Sequence, residues 1–246
     1  YRAMMTTKLD GYETRFLPFN QGSNGAGVDG GAGNPPTEDG SYVVSYLWKE
    51  IWQKDKLLDI LQKFVSYQKT KEVIKNLDGT QTTKTKEVII FPRYHQLDVV
   101  KKIINRVSQN GPGESYLVQH SAGSGKSNSI AWLAYRLASL HKDNKPVFNS
   151  VIIVTDRKVL DSQLQNTING FDHTLGSVVL IDDKKRSKDL LTAIEDGKRI
   201  IVSTLQKFPV IYELIGDTTG KNYAIIVDEA HSSQTGPVSY THLRAH

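Results

Sequence analysis

The order of apolar and polar positions divides the chain into a mixed front part and a regular remainder. From Pro92 onward, short apolar runs alternate with stretches of helical periodicity. The spacing predicts helices over 97–107, 126–140, 158–168 and 187–196. It predicts strands over 115–119, 151–155, 177–181, 199–203 and 223–228. The run VIIVT at 151–155 is apolar up to its last residue, the pattern of a strand buried on both faces. Such strands alternating with helices predict an α/β fold, with a parallel sheet covered by helices on both faces. Right-handed crossovers then gather the strand C-termini along one edge, where ligands bind.

The front part is less regular. Residues 14–19 read as a short extended piece. Residues 21–40, QGSNGAGVDGGAGNPPTEDG, cannot bury a core and form a loop or linker. A loop that cradles phosphate or touches DNA is the sharper reading. A surface connection is the plainer one, because G-x-G without a following strand and helix is weak evidence. Between 42 and 69 apolar residues recur at helical spacing (Leu47, Ile51, Leu58, Leu61, Val65), which predicts one long or two short helices. Trp48 and Trp52, four apart, are read as core or interdomain packing rather than a base-stacking platform. The β-rich runs 72–74 and 87–91 flank Asp78-Gly79, a strong hairpin-turn pair. Lys75, Lys84 and Lys86 on this hairpin are candidates for DNA contact, although a solvated hairpin is the plainer reading.

Composition narrows the classes. The 246 residues suffice for one large domain or two small ones, and a 38% hydrophobic share excludes a disordered chain. No apolar run approaches the roughly 18 residues of a membrane-spanning helix. The chain has no cysteine, which excludes a disulfide scaffold, a cysteine nucleophile and a thiolate zinc site, and fits a reducing cytoplasm. A net charge of +5 and a pI of about 9.1 permit nucleic-acid binding without arguing for it. The run Lys184-Lys185-Arg186 with Lys188 reads as a solvated helix start rather than a DNA track.

Two motifs carry chemistry. QHSAGSGKS, at 119–127, follows a predicted strand and opens a predicted helix, the setting of a phosphate-binding loop. Gly123 and Gly125 allow backbone N–H groups to turn toward a phosphate, with Ser124 between them. The following helix start adds partial positive charge. Lys126 is suited to the β- and γ-phosphates, and Ser127 to Mg²⁺. His120 stands where the usual pattern has its first glycine. The second motif, IIVDEAH at 225–231, ends an apolar strand on two acids about 100 residues after the lysine. Asp228 is suited to holding Mg²⁺ through water, and Glu229 to orienting and deprotonating an attacking water. His231 is suited to coupling the site to nucleic acid or a partner domain. Together the motifs predict an enzyme that binds ATP with Mg²⁺ and hydrolyses it.

GSGKS with DEAH resembles the first RecA-like domain of a superfamily 2 helicase or translocase. More specifically, residues 91–236 resemble the motor of the endonuclease (R) subunit of type I restriction–modification enzymes. The segments that carry this are PRYHQ (92–96), QHSAGSGKS, VTDRKVLDSQL (154–164), STLQKF (203–208) and VDEAHSSQTG (227–236). Upstream, TRFLPFN (14–20), GNPP (33–36) and YLWKE (46–50) resemble the stretch joining that family's nuclease domain to its motor. The resemblance implies that Gln96 reads adenine. It also implies that Thr155 and Arg157, and then Thr204 and Gln206, contact the DNA backbone. The implied partners are double-stranded DNA and the modification and specificity subunits, in a prokaryotic cytoplasm. Cleavage would need a D…E-x-K nuclease set that residues 1–20 do not contain.

The resulting domain expectation is a nuclease remnant with the Gly-rich loop over 1–40 and a helical and hairpin connector over 41–91. The first RecA-like domain follows over 92–236. The string SYTHLRAH looks like a translated sequencing adaptor, so 237–246 are expected to be an artefactual tail. The nuclease residues are expected before Tyr1 and a second RecA-like domain after Gly236, which makes the chain an internal fragment. Other readings are a DEAH-type helicase of repair or RNA metabolism, which TRFLPFN and YLWKE disfavour, and a non-catalytic ATP- or DNA-binding module.

Overall fold

The computed structural model describes residues 2–22, 33–75, 81–121, 123–155, 164, 167–168, 170, 178–181, 185–208 and 220–228. Two compact units emerge: Tyr1–Val99 with Gln119–Gly125, and Val100–Val118 with Lys126–His246.

The first unit begins with a small antiparallel pair, β1 (Met4–Met5) and β2 (Leu17–Pro18). A single π-type turn at Leu47–Ile51 is followed by α1 (Lys54–Lys63), so two short helices occupy this region. The stripe they bury differs from the expected one. Ile51, Ile60 and Phe64 are buried, whereas Leu58 and Leu61 are about half exposed. Trp48 and Trp52 are also exposed, at 44% and 57%, so neither is a core residue of the described chain. Next come β3 (Ser66–Lys75) and β4 (Gln81–Ile90), a two-stranded antiparallel ribbon in continuous register from Ser66↔Ile90 to Lys75↔Gln81. The ribbon is several residues longer on each strand than its β-rich runs suggest, because Lys and Thr positions join the ladder. Then α2 (Tyr94–Asn110) begins.

The second unit holds the parallel sheet. Helix α3 (Lys126–Ala138) leads to a two-residue hairpin of β5 (His141–Lys142) and β6 (Lys145–Pro146). Its turn residues Asp143 and Asn144 both take positive φ, 51° and 60°, as a tight hairpin of the right twist requires. Strands β7 (Ser150–Thr155), β8 (Val178–Ile181), β9 (Ile200–Thr204) and β10 (Tyr223–Val227) follow, with α4 (Ser187–Glu195) before β9. They are all parallel and run β10-β7-β9-β8 across the sheet.

One face of the sheet packs Ile152, Val154, Ile181 and Ile201 against Leu190, Ala193 and Ile194 of α4. Alternation turns Val151, Ile153, Ile200 and Val202 to the other face, where α3 packs on β7, β9 and β10. The expected α/β architecture is therefore present, with a four-stranded parallel sheet flanked by helices.

One predicted strand is not formed. Residues 115–119 run as irregular chain, and no strand pairs with them among the described residues. Leu117 is 90% exposed, and Tyr116 and Val118 are also exposed. Apolar β-formers make a strand only where another strand offers a ladder and a buried face. The predicted helix over 158–168 lies largely outside the described residues.

Candidate nucleotide site

The phosphate loop is held from below by the start of α2. Gln96 occupies the third position of that helix. Its Oε1 accepts the Arg93 backbone N–H at 2.8 Å, half of a capping box. Its Nε2 donates to the carbonyls of Ser124 (3.2 Å) and Gly125 (2.9 Å). Gln96 is 3% exposed, so both ends of its amide are engaged in fixing the loop. An adenine-reading role for this residue has to be shared with that clamp.

His95 adds a second tie. Its Nε2 lies 3.1 Å from the Ser124 carbonyl, and its ring meets His120 edge-on at 4.9 Å between centroids. Burial pushes the His95 pKa down, the Ser124 carbonyl raises it, and the Arg93 charge lowers it further. His120 thus has a structural partner at the position where a glycine is usual. The ties from Gln96 and His95 bridge 28 and 29 residues, so only the motif PRYHQ hints at them in the sequence.

Gly123 and Gly125 sit at φ +72° and +84°, the left-handed region that glycine alone enters without strain. A Cβ on Gly123 would meet nothing within 4 Å, so the backbone angle, not crowding, calls for glycine there. Ser124 is buried, and its Oγ has no hydrogen-bond partner among the described residues. The chain then enters α3 directly at Lys126 and Ser127. This helix is anchored by buried Ala131, Trp132, Ala134 and Leu137. Left-handed glycines, an orphaned buried hydroxyl and a lysine-led helix suit a phosphate with its Mg²⁺.

The other candidate residues lie at the strand ends of the second unit. The Asp228 N–H donates to the Val154 carbonyl at 2.9 Å, extending the β10–β7 ladder by one residue. Register pairs Val227 with Val154, and Thr155 with Thr204. Asp228, Thr155 and Thr204 therefore form one row at the C-terminal edge, on the face that α3 covers. Thr155 and Thr204 are 3% and 1% exposed, and the Thr155 hydroxyl has no partner among the described residues. Buried this way, neither hydroxyl is at the surface for the DNA-backbone contact expected of it. Gln206, in the turn Leu205–Lys207, is exposed. Beside that turn, Lys207 Nζ donates to the Lys185 carbonyl and Lys185 Nζ to the Leu180 carbonyl, each at 2.5 Å. Arg157, Glu229 and His231 lie outside the described residues.

The upstream segments meet the start of α2 in one aromatic cluster. Phe19 packs on Phe91 and Tyr94, at 6.1 and 5.8 Å between centroids, and Tyr46 packs on Tyr94 at 5.2 Å. The Tyr46 hydroxyl donates to the Phe19 carbonyl. Burial, with Tyr94 beside it, pushes the Tyr46 pKa up to about 12, so it stays a donor. Gln21 Nε2 reaches the Tyr94 hydroxyl at 3.1 Å, and Asn34 bonds Asn20 at 3.0 Å and the Gln21 N–H at 2.9 Å.

Comparison with known families adds one finding. The model of the SWI2/SNF2 ATPase family matches residues 95–245, more than half of the chain. The chain belongs to the SWI2/SNF2 ATPase family. No curated protein matches it. Within the described residues of this ATPase, no helix is long and apolar enough to cross a membrane.

Proposed function

We propose that this chain is the ATP-binding half of the DNA translocase in the endonuclease subunit of a type I restriction–modification enzyme. The observation that carries the reading is the aromatic cluster. TRFLPFN, GNPP, YLWKE and FPRYHQ are far apart in sequence, yet Phe19, Asn20, Asn34, Tyr46, Phe91 and Tyr94 meet in it. Those are PRYHQ and the upstream segments that support the resemblance to type I enzymes, which the motor motifs over 91–236 carry. The cluster braces the start of α2, and Gln96 and His95 of that helix hold the phosphate loop. A generic DEAH helicase has no need of the upstream segments.

In this reading the domain order is a nuclease remnant and loop over 1–40, a connector over 41–91 and the RecA-like motor over 92–236. Backbone N–H groups around Gly123, Ser124 and Gly125 bind the phosphates, and Lys126 neutralises their charge. Ser127, and Asp228 through water, would hold Mg²⁺, which would screen the phosphate oxygens. Glu229 orients the attacking water and accepts its proton. His231 couples the site to DNA. Arg157 and Gln206 meet the DNA backbone, with Thr155 and Thr204 supporting the strand ends from inside. Modification and specificity subunits hold the complex on its site in a prokaryotic cytoplasm while duplex DNA is pumped past.

The test is to sequence the locus outward from both ends of the reading frame. The expected result is a D…E-x-K nuclease upstream, a second RecA-like domain downstream, and neighbouring modification and specificity genes. A start codon near Tyr1, a stop after His246 and no such neighbours would overturn the reading in favour of a binding module.

A further inference from the structure

Two histidines from distant parts of the chain meet at the phosphate loop. His95 is the second residue of α2, and His120 stands where the usual loop pattern has its first glycine. Their rings meet edge-on, with planes 88° apart and centroids 4.9 Å apart. His95 Nε2 lies 3.1 Å from the Ser124 carbonyl oxygen. A carbonyl can only accept, so Nε2 carries a hydrogen in the neutral ring as well as in the charged one. The tie therefore survives protonation, and the second proton goes to Nδ1. Among the described residues, Arg93 is the charged group that acts on His95, and no carboxylate does. His120 is the titratable ring against it. Two positive rings at this spacing repel, so the pair titrates as one unit and takes up one proton before a second.

The same peptide group has another side. In a trans peptide the C=O and the N–H point in opposite directions. His95 and Gln96 Nε2, at 3.1 and 3.2 Å, fix the Ser124 carbonyl toward α2, so the Gly125 N–H of that peptide points away from the helix. An anion held by that N–H and a charge on His95 have one peptide group between them. The charge attracts the anion, and its stronger donation to the carbonyl polarises the N–H further.

Resting on the reading of 119–127 as the phosphate site, we propose that His95, with His120 beside it, is a proton site linked to that loop, so that nucleotide binding takes up a proton there and is tighter in mild acid. Without a ligand, burial and Arg93 disfavour the charged ring. A bound polyphosphate supplies the counter-charge that His95 lacks, and the ring then titrates at higher pH. By reciprocity, proton and nucleotide favour each other by the same factor.

The test uses the full 246-residue chain and a non-hydrolysable Mg-ATP analogue. Proton NMR follows the imidazole Cε1–H signals between about pH 5 and 8, with and without saturating analogue. His95→Gln removes one signal and His120→Asn another, which assigns the pair. The His95 signal should titrate at higher pH with the analogue bound. Calorimetry at about pH 5.5 and 7.5 gives a second readout. The gain in affinity at the lower pH should be about three- to tenfold larger in the wild type than in the double variant His95→Gln, His120→Asn. The variant carries the analogue's own protonation, so the comparison removes it. A ring that serves only as a structural tie moves neither readout. If the double variant does not fold, the wild-type titration, assigned through His120→Asn, carries the test.

A His95 titration that stays in place or falls when the analogue binds would overturn the proposal and leave the phosphate site standing. So would an equal pH dependence of affinity in the double variant. A wild-type chain that binds no analogue at either pH would overturn the phosphate-site reading as well.

Discussion

Strand β7 and residues 115–119 begin as equals and end differently. Both are short apolar runs rich in β-formers, VIIVT and SYLVQ. Every residue of β7 is buried, with β10 on one side and β9 on the other. The other run is exposed and unladdered, and Leu117 is 90% in solvent. Intrinsic preference is the same offer in both places, and a neighbouring ladder decides whether it is taken up. The phosphate loop follows the weak run in sequence, so its order comes from elsewhere. Gln96 and His95 supply it through the Ser124 and Gly125 carbonyls.

The largest expected effect tests the contrast itself. Ile153→Ala in β7 removes a side chain that is 0% exposed and should cost about 2–5 kcal/mol. Leu117→Ala should cost no more than about 0.5 kcal/mol. Urea unfolding of the two variants checks this. Equal losses would mean that residues 115–119 are packed in solution.

The next effect concerns the loop's purpose. Lys126→Ala should weaken Mg-ATP binding by about 100-fold, because a charge-assisted contact to phosphate contributes on the order of 3 kcal/mol. Calorimetry reads the affinity, and circular dichroism should show the fold intact. Unchanged affinity would remove the phosphate assignment. Gln96→Ala tests the support beneath the loop. It strips donors from two carbonyls and the capping contact from Arg93, for about 2 kcal/mol of stability. ATP affinity should fall about tenfold, and GTP affinity by the same factor if the clamp is the whole of its role. A drop confined to ATP would restore the adenine reading to Gln96.

Legibility in the sequence follows the same division. Strands β7, β9 and β10 and helices α3 and α4 fall within one or two residues of where their apolar patterns predict them. Each strand is an apolar run paired within one sheet, and each helix packs an apolar stripe on that sheet, so local pattern and tertiary outcome agree. Residues 115–119 depart from their local pattern because pairing is not a local property. Leu58 and Leu61 share helical spacing with Ile51, yet Ile60 and Phe64 take the buried side of that region. The glycines of the phosphate loop were legible because positive φ is a local demand. The Gln96 clamp was not, since its partners are 28 and 29 residues away. Thr155 and Thr204 were legible as strand-end polar residues, but their burial depends on α3 covering that face.

The smallest effect is a pH dependence of the same clamp. His95 has its pKa pushed below the ordinary 6.5, chiefly by burial. The folded state therefore favours neutral imidazole, and between the depressed value and 6.5 the unfolded chain binds more protons. Stability should rise with pH through that window and level off above it. As pH falls the charged ring is disfavoured by its burial and by Arg93, and the Ser124 carbonyl offsets only part of that cost. Thermal melts at pH 5.5 and 7.5 should show the wild type less stable at the lower value. His95→Gln keeps a polar amide near Ser124 without a titrating ring, and the difference between the two pH values should shrink. An identical difference in the variant would place the pH dependence on other groups and leave Gln96 as the clamp that sets the loop.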